Sequence, residues 1–197
     1  MPNHPFVPIP LLADAGVPMI LLTWPAMVAL VIPVIAIESL LCKRWLGLKT
    51  WPAVKSNAVS NVASTIIGTP IAWAIMLGIE FAAGGALDLV EKVRPIQDLH
   101  SPIANAVFFI LSSAWLGPTD KAWEVAAATL VLLVPFFVVS YLIEYRIVRS
   151  MVGVPDGEPA NLAYPRVRIA VRNANLVTYG LMFVGTSVWL AILLRHK

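Results

Sequence analysis

Two glutamates stand at the ends of long apolar segments, where a carboxyl group is rare and could handle a proton or an ion. Glu38 ends the first of these segments and Glu144 ends a later one. The segment that follows each glutamate carries an amide and, three residues on, a hydroxyl: Asn61-x-x-Ser64 after Glu38 and Asn175-x-x-Thr178 after Glu144. An ionisable side chain at membrane depth is a candidate functional group by default. These residues are therefore the first candidates for chemistry.

The spacing around the two glutamates also corresponds. Nine residues separate Glu38 from Gly47 and Glu144 from Gly153, and a cation stands five residues after each glutamate. We interpret the correspondence as a tandem repeat of one helical hairpin. Internal repeats are common in transporters, where the polar groups lie near the midplane of the membrane. Here they lie near one end of each segment.

Two interpretations of the glutamates are open. In the first, each carboxylate is interfacial and pairs with a cation of its own turn, as Glu38 could with Lys43 or Arg44 and Glu144 with Arg146 or Arg149. In the second, the glutamates form a polar pocket between the hairpins with the polar residues of the returning segments. Those residues are Asn57, Asn61, Ser64, Asn173, Asn175 and Thr178. We favour the first interpretation, in which the asparagines serve as bonds between helices, because the ends of helices are close to water.

The composition indicates a membrane protein. Of the 197 residues, 59% are hydrophobic and 13% are charged, against about 25% charged residues in soluble domains. The net charge of +3 is small and does not suggest a nucleic acid partner. The single cysteine, Cys42, excludes an internal disulfide.

Four apolar segments are long enough to cross a membrane. They contain between 19 and 24 consecutive uncharged residues, and about 20 suffice for a spanning helix. We place the spans at about 16–41, 56–79, 123–147 and 173–194. The predicted fold is an all-α integral membrane bundle of four spanning helices, arranged as two tandem hairpins.

The connection between the hairpins contains a further apolar segment. Ile103–Leu116 is bracketed by Pro102 and Pro118 and is short for a span, so we predict an interfacial or re-entrant helix over about 102–117. The chain then divides into a proline-rich arm over 1–15, a first hairpin over 16–83, the connection over 84–122 and a second hairpin over 123–197.

Lys and Arg are concentrated in the two hairpin turns, which predicts that these turns are cytoplasmic. The first turn has four of them and residues 144–172 have five, against three in 80–124 and two at the C-terminus. Both termini then lie outside, and we expect a bacterial inner membrane. Cations and tryptophans at headgroup depth are candidates for contact with lipid headgroups. They are Lys43, Arg44, Trp45, Lys49, Trp51, Arg149, Arg166 and Arg168.

Small residues recur at every fourth position of the second span. Ser60, Ser64, Gly68 and Ala72 fall on one stripe of a helix. Small side chains allow membrane helices to approach closely, and we predict that this helix packs against its neighbours through that stripe.

No residue pattern in the sequence indicates catalysis. The histidines fall outside the predicted spans, which argues against a haem held within the membrane, and no nucleotide-binding loop, zinc motif or nucleophile elbow occurs. We therefore predict a non-enzymatic accessory subunit that packs with other membrane protein subunits and has no cofactor other than bound lipids. The alternative is a small oligomeric transporter or channel that uses Glu38 and Glu144, and a third possibility is an enzyme acting on lipid headgroups.

Overall fold

The computed structural model describes residues 17–93, 102–116, 121–153 and 159–195, and these residues are mainly helical. The helices are α1 (Met19–Leu46), α2 (Thr50–Ala63), α3 (Thr69–Val93), α4 (Pro102–Leu111), α5 (Ala122–Val152) and α6 (Ala160–Arg195). A π-helical turn, Ser64–Gly68, joins α2 to α3. Two strands of two residues each, β1 (Val17–Pro18) and β2 (Trp115–Leu116), pair antiparallel. The predicted all-α class is confirmed for the described residues.

Four helical segments of the described chain are long and apolar enough to cross a membrane, namely α1, α2–α3, α5 and α6. We call them the spanning helices. Each coincides with one predicted span, because a long run without charge is a local property of the sequence. The predicted proline-rich arm over 1–15 lies outside the described residues.

The basic segment before the fourth predicted span is largely helical rather than a loop. α6 begins at Ala160, well before the predicted start of the fourth span at about residue 173. Ala163, Val167 and Val171 are buried, and their four-residue spacing marks one face of a helix. Val167 and Val171 pack with Val148 of α5. The arginines of this segment therefore occupy the outer face of a helix whose other face is apolar.

Gly47 and Gly153, the glycines at equivalent spacing, follow α1 and α5 and both have a positive φ angle. Their φ angles are 66° and 68°, in the left-handed region that glycine adopts without a Cβ penalty. The Leu48 N–H donates to the Lys43 carbonyl at 3.2 Å, and the Gly153 N–H donates to the Arg149 carbonyl at 3.3 Å. Both helices thus stop at the same distance from their glutamate.

The π-helical turn has a local cause in Pro70. A proline has no N–H to donate to the carbonyl four residues earlier, here that of Ile66, and its ring displaces that carbonyl. The helix accommodates the displacement by widening, and the Thr69 N–H donates to the carbonyl of Ser64, five residues back. Turns of this kind frequently occur at functional sites.

The stripe of small residues faces the interior of the bundle. Ser60, Ser64, Gly68 and Ala72 are all buried. A Cβ built on Gly68 would lie 3.0 Å from Ile143 Cδ1 and 3.5 Å from Val139 Cγ1. The missing side chain of Gly68 therefore allows α5 to lie close to this helix.

Apolar packing closes the end of the bundle far from the glutamates. Met19, Ala72, Ala128, Leu132 and Phe136 form a buried cluster between α1, α3 and α5. Because α1 begins at Met19 and α3 at Thr69, this cluster joins the start of α1 to the first turn of α3.

The short helix predicted over about 102–117 ends earlier than expected. α4 has ten residues, and the chain then turns through Ser113 and Ala114, which are buried. The Ala114 carbonyl accepts bonds from Trp73 Nε1 at 2.9 Å and from the Met19 N–H at 3.1 Å. A helix continuing to residue 117 would not present this carbonyl to α1 and α3.

Replacing Gly68 with Leu is expected to lower the free energy of unfolding by about 1–3 kcal/mol, the usual cost of overpacking, because the new side chain would meet Ile143 and Val139. Gly78→Leu on α3 is the matched control, since no atom lies within 4 Å of a Cβ built there. Thermal unfolding of both variants in the same detergent measures the difference. Equal stability of the two variants would show that Gly68 is not a close contact.

Candidate functional site

Glu38 is buried, with 1% of its surface exposed, although α1 ends about two turns later. Its Oε2 accepts a hydrogen bond from Asn61 Nδ2 at 2.7 Å, and its Oε1 accepts one from the Thr178 hydroxyl at 2.8 Å. Asn61 lies on α2, the next helix in the chain, and Thr178 lies on α6. The carboxyl group therefore connects three helices.

Glu144 has an equivalent environment and is 2% exposed. Its Oε2 accepts a hydrogen bond from Asn175 Nδ2 at 2.6 Å, and its Oε1 accepts one from the Ser64 hydroxyl at 2.7 Å. Asn175 lies on α6, the helix that follows, whereas Ser64 begins the π-helical turn between α2 and α3.

The two glutamates have the same pattern of bonds, with the roles of the two repeat units, residues 16–83 and 123–197, interchanged. Each glutamate accepts an amide N–H from the helix that follows it and a hydroxyl from the other unit. We call this arrangement the carboxyl clasp. Its members are Glu38, Asn61, Ser64, Glu144, Asn175 and Thr178.

The two carboxyl groups of the clasp lie near each other, because Asn61 and Ser64, which bond to different glutamates, are about one helical turn apart, and so are Asn175 and Thr178. Two ionised carboxylates in such positions would repel each other, and each buried charge would cost several kcal/mol of desolvation. A proton on either carboxyl group would remove one of these charges.

The prediction that each glutamate pairs with a cation of its own turn is wrong. The Lys43 ammonium donates to a hydroxyl of α2 at 2.9 Å, and the Arg149 guanidinium lies over the Tyr164 ring, 3.8 Å from its centroid. The ion pair between Lys121 and Glu124 involves neither glutamate. The glutamates face neighbouring helices instead, where neutral amides and hydroxyls satisfy them.

Two predicted members of the polar site lie outside the clasp. Asn57 is buried, but its Nδ2 donates to the Ala53 carbonyl of its own helix at 2.8 Å. Asn173 is half-buried, and its Oδ1 accepts from Arg172 at 3.3 Å. Neither reaches a carboxyl group, because Asn57 lies one turn away along α2 and Asn173 points to roughly the opposite side of α6 from Asn175.

Two residues beside the clasp were not expected from the sequence. The hydroxyl groups of Ser140 and Tyr179 are 2.8 Å apart, and both line a cavity of about 30 Å³ together with Glu144. This volume is close to that of one water molecule. Ser140 could have been found from its position, since it precedes Glu144 by one helical turn.

The predicted headgroup residues are exposed around the end of the bundle that is nearer the clasp. They are Lys43, Arg44, Trp45, Lys49, Trp51, Arg149, Arg166 and Arg168. Trp45 and Arg166 line one cavity of about 260 Å³, and Arg168 Nε donates to the Tyr141 hydroxyl at 3.0 Å. Lys43 follows Glu38 by five residues, or about 7 Å along the helix. The clasp thus lies about one and a half turns inside this cationic end.

Thr178→Val removes the hydroxyl that donates to Glu38 and keeps the shape of the side chain. We expect a loss of about 1–3 kcal/mol in unfolding free energy, the cost of leaving a buried polar group without its partner, and a similar loss for Ser64→Ala. Thr129→Val is the control, because Thr129 donates only within its own helix, to the Val125 carbonyl. Denaturant titration in detergent measures the three values. A Thr178→Val variant as stable as Thr129→Val would contradict a clasp that holds α1 to α6.

Comparison with protein-family models, with curated proteins and with solved structures finds no match to this chain. Its function therefore has to be argued from the geometry of the carboxyl clasp and of the surfaces around it.

Proposed function

We propose that the chain is a non-enzymatic integral membrane protein that packs into a larger membrane complex as an accessory subunit. The observation that carries the proposal is that each carboxyl oxygen of the clasp already accepts a bond from within the bundle. The cavity of about 30 Å³ beside Glu144 has room for about one water molecule and none for an organic substrate. A clasp of this kind braces helices against each other.

Exposed apolar faces on α1 and α6 support contact with neighbours in the membrane. Ile32 and Leu21 of α1 are 77% and 61% exposed, and Val184 of α6 is 60% exposed. Within a bilayer, lipid and the helix of another subunit can both cover such faces, since association there depends on close packing rather than on escape from water. We propose that partner subunits cover part of this surface and lipids the rest.

We also propose that α1 with α2–α3, and α5 with α6, form two tandem hairpins. Two observations support this arrangement. The turns at Gly47 and Gly153 correspond, and each glutamate accepts an amide bond from its own unit and a hydroxyl bond from the other unit. The cations at the ends near those turns favour a cytoplasmic position for both turns. The opposite end, with the start of α1 and the short α4, then faces outward from a bacterial inner membrane, with α4 as a re-entrant or interfacial helix.

Transport of protons or small cations is the second candidate function. It is favoured by the position of two buried carboxyl groups at the junction of the two units, each bonded to a hydroxyl of the other unit, because a carboxyl group can gain and lose a proton. Intramembrane carboxyl groups commonly belong to proton relays. In such a transporter, Glu144 would exchange a proton with a water molecule in the small cavity that it lines.

Conversion of Glu38 or Glu144 to Gln separates the two functions. We expect Glu38→Gln to fold, because its carbonyl can accept from Asn61 while the Thr178 hydroxyl, which both donates and accepts, reverses to accept from the new amide. An accessory subunit should then still co-purify with its partners from native membranes at the wild-type stoichiometry. Pull-down followed by quantitative mass spectrometry measures this, with Glu144→Gln as the matched variant.

Measurements of proton flux through the same variants test the transporter function. The accessory function predicts that proteoliposomes containing the wild-type chain conduct protons no faster than those containing Glu38→Gln. A wild-type proton flux that disappears in a correctly folded Glu38→Gln variant would reject the accessory function and favour the transporter.

The proposed topology predicts that Lys49 and Lys121 lie on opposite sides of the membrane. In a Cys42→Ser background, Lys121→Cys should react with a membrane-impermeant maleimide added to spheroplasts, whereas Lys49→Cys should react only after the membrane is opened. Both lysines are exposed, so burial does not limit the reaction. Labelling of both positions from the same side would contradict the proposed hairpin.

A further inference from the structure

A groove opens between α1 and α6 on the side of the clasp away from the cationic end, and α5 forms its floor. Leu30, Phe136 and Met182 line it, one from each helix, and its cavity volume is about 470 Å³. Thr178 stands at one end and Trp189 toward the other, about 16 Å apart along α6 at 1.5 Å per residue. Since the hydrocarbon core of a bilayer is about 30 Å thick, the groove is as long as one leaflet is deep. We call it the outer groove.

The outer groove is unfavourable for water because three of the four threonine hydroxyls in its wall are already bonded. Thr23 and Thr129 each donate to the carbonyl four residues earlier in their own helix, at 2.8 Å. Thr178 donates to Glu38. The remaining hydroxyl, that of Thr186, provides fewer than the roughly two to four polar partners that an ordered water needs. In a spanning helix bundle, such a groove is in contact with lipid and fills with hydrocarbon.

The volume of the groove suits a hydrocarbon chain and is too small for a protein helix. A dry cavity of about 150 Å³ holds one benzene molecule, so roughly 25 Å³ accommodates each carbon. A cavity of about 470 Å³ then has room for a chain of roughly eighteen carbons. A helix, about 10 Å across with its side chains, would need a far larger volume over the same length.

We propose that the outer groove binds one acyl chain of a membrane phospholipid. The end of the chain lies at Thr178 and Ile37, next to the clasp, and the headgroup lies beyond Trp189. Tryptophan is enriched at headgroup depth, which suits this orientation. The bound chain fills the space between α1 and α6 that the described side chains leave open, and it stabilises the separation of the two helices.

This site is independent of the function proposed above, because it requires only that the spanning helices lie in a bilayer. It also differs from the cationic end, where Trp45 and Arg166 are candidates for headgroup contact. Thr178 is the residue that the outer groove shares with the clasp, since its hydroxyl donates to Glu38 while its side chain lines the groove.

Photocrosslinking in vesicles tests the proposal. The full chain is reconstituted in phosphatidylcholine vesicles that contain a phosphatidylcholine with a diazirine near the end of one acyl chain. After irradiation, mass spectrometry of peptides locates the crosslinks. We expect them to concentrate at the deep end of the groove, on residues such as Ile37 and Leu181, rather than on exposed faces such as Ile32.

Two glycines of α6 provide matched variants. Gly185 lines the outer groove, whereas Gly180 is exposed elsewhere on α6, and no atom lies within 4 Å of a Cβ built at either position. Gly185→Phe should place a ring in the groove and reduce crosslinking at Ile37 and Leu181 by at least about tenfold, since the chain loses its apolar contacts. Gly180→Phe should leave the crosslinks unchanged. Thermal unfolding confirms that both variants fold.

Other results would overturn the proposed lipid site. Crosslinks of equal intensity in the wild type and in Gly185→Phe, or crosslinks spread evenly over Ile32, Val184 and the groove, would overturn the site. Crosslinking of two chains through Gly185, with loss of the lipid adduct, would assign the groove to a second copy of the chain and would equally overturn the proposal.

Discussion

The burial of two carboxyl groups is the constraint on which the rest of the bundle depends. An unsatisfied carboxyl group in an apolar interior is costly, so each must find hydrogen-bond donors. Glu38 accepts from an amide on α2 and from a hydroxyl on α6. Glu144 accepts from an amide on α6 and from a hydroxyl in the π-helical turn. Neither sequence unit satisfies its own glutamate alone. The two units therefore have to pack together, with the glutamates facing each other.

The clasp divides the bundle into halves that are held by different interactions. Around the clasp, buried amides and hydroxyls bond α1, α2 and α6, and Gly68 allows α5 to approach closely. At the far end, the apolar cluster that includes Met19 and Leu132 joins α1, α3 and α5. Among the described residues, α6 contributes the half-buried Tyr179 to that cluster, and α1 and α6 leave the outer groove between them over α5. The groove lies beside the clasp, where Thr178 of α6 bonds to Glu38 of α1.

Local backbone features place the members of the clasp with little freedom. The left-handed glycines Gly47 and Gly153 end their helices at equal distances from the glutamates, so the two carboxyl groups come to equivalent depths. Pro70 widens the helix just after Ser64, the residue that donates to Glu144. The sequence repeats a pattern of glutamate, glycine, amide and hydroxyl. The structure explains the repeat, because the same hydrogen bonds form at both glutamates.

The sequence by itself determined the apolar segments, their helical form and the correspondence between the two units, because helix formation and hydrophobic length depend on residues close together in the chain. It also singled out Glu38, Glu144, Asn61 and Asn175. Only the tertiary structure decided which donor meets which carboxyl group, and that Asn57 and Asn173 meet neither. The partners of Glu144 and Glu38 in the other unit, Ser64 and Thr178, are 80 and 140 residues distant in sequence. The depth of a carboxyl group and its choice between a nearby cation and a distant hydroxyl depend on how the helices pack, which no local pattern encodes.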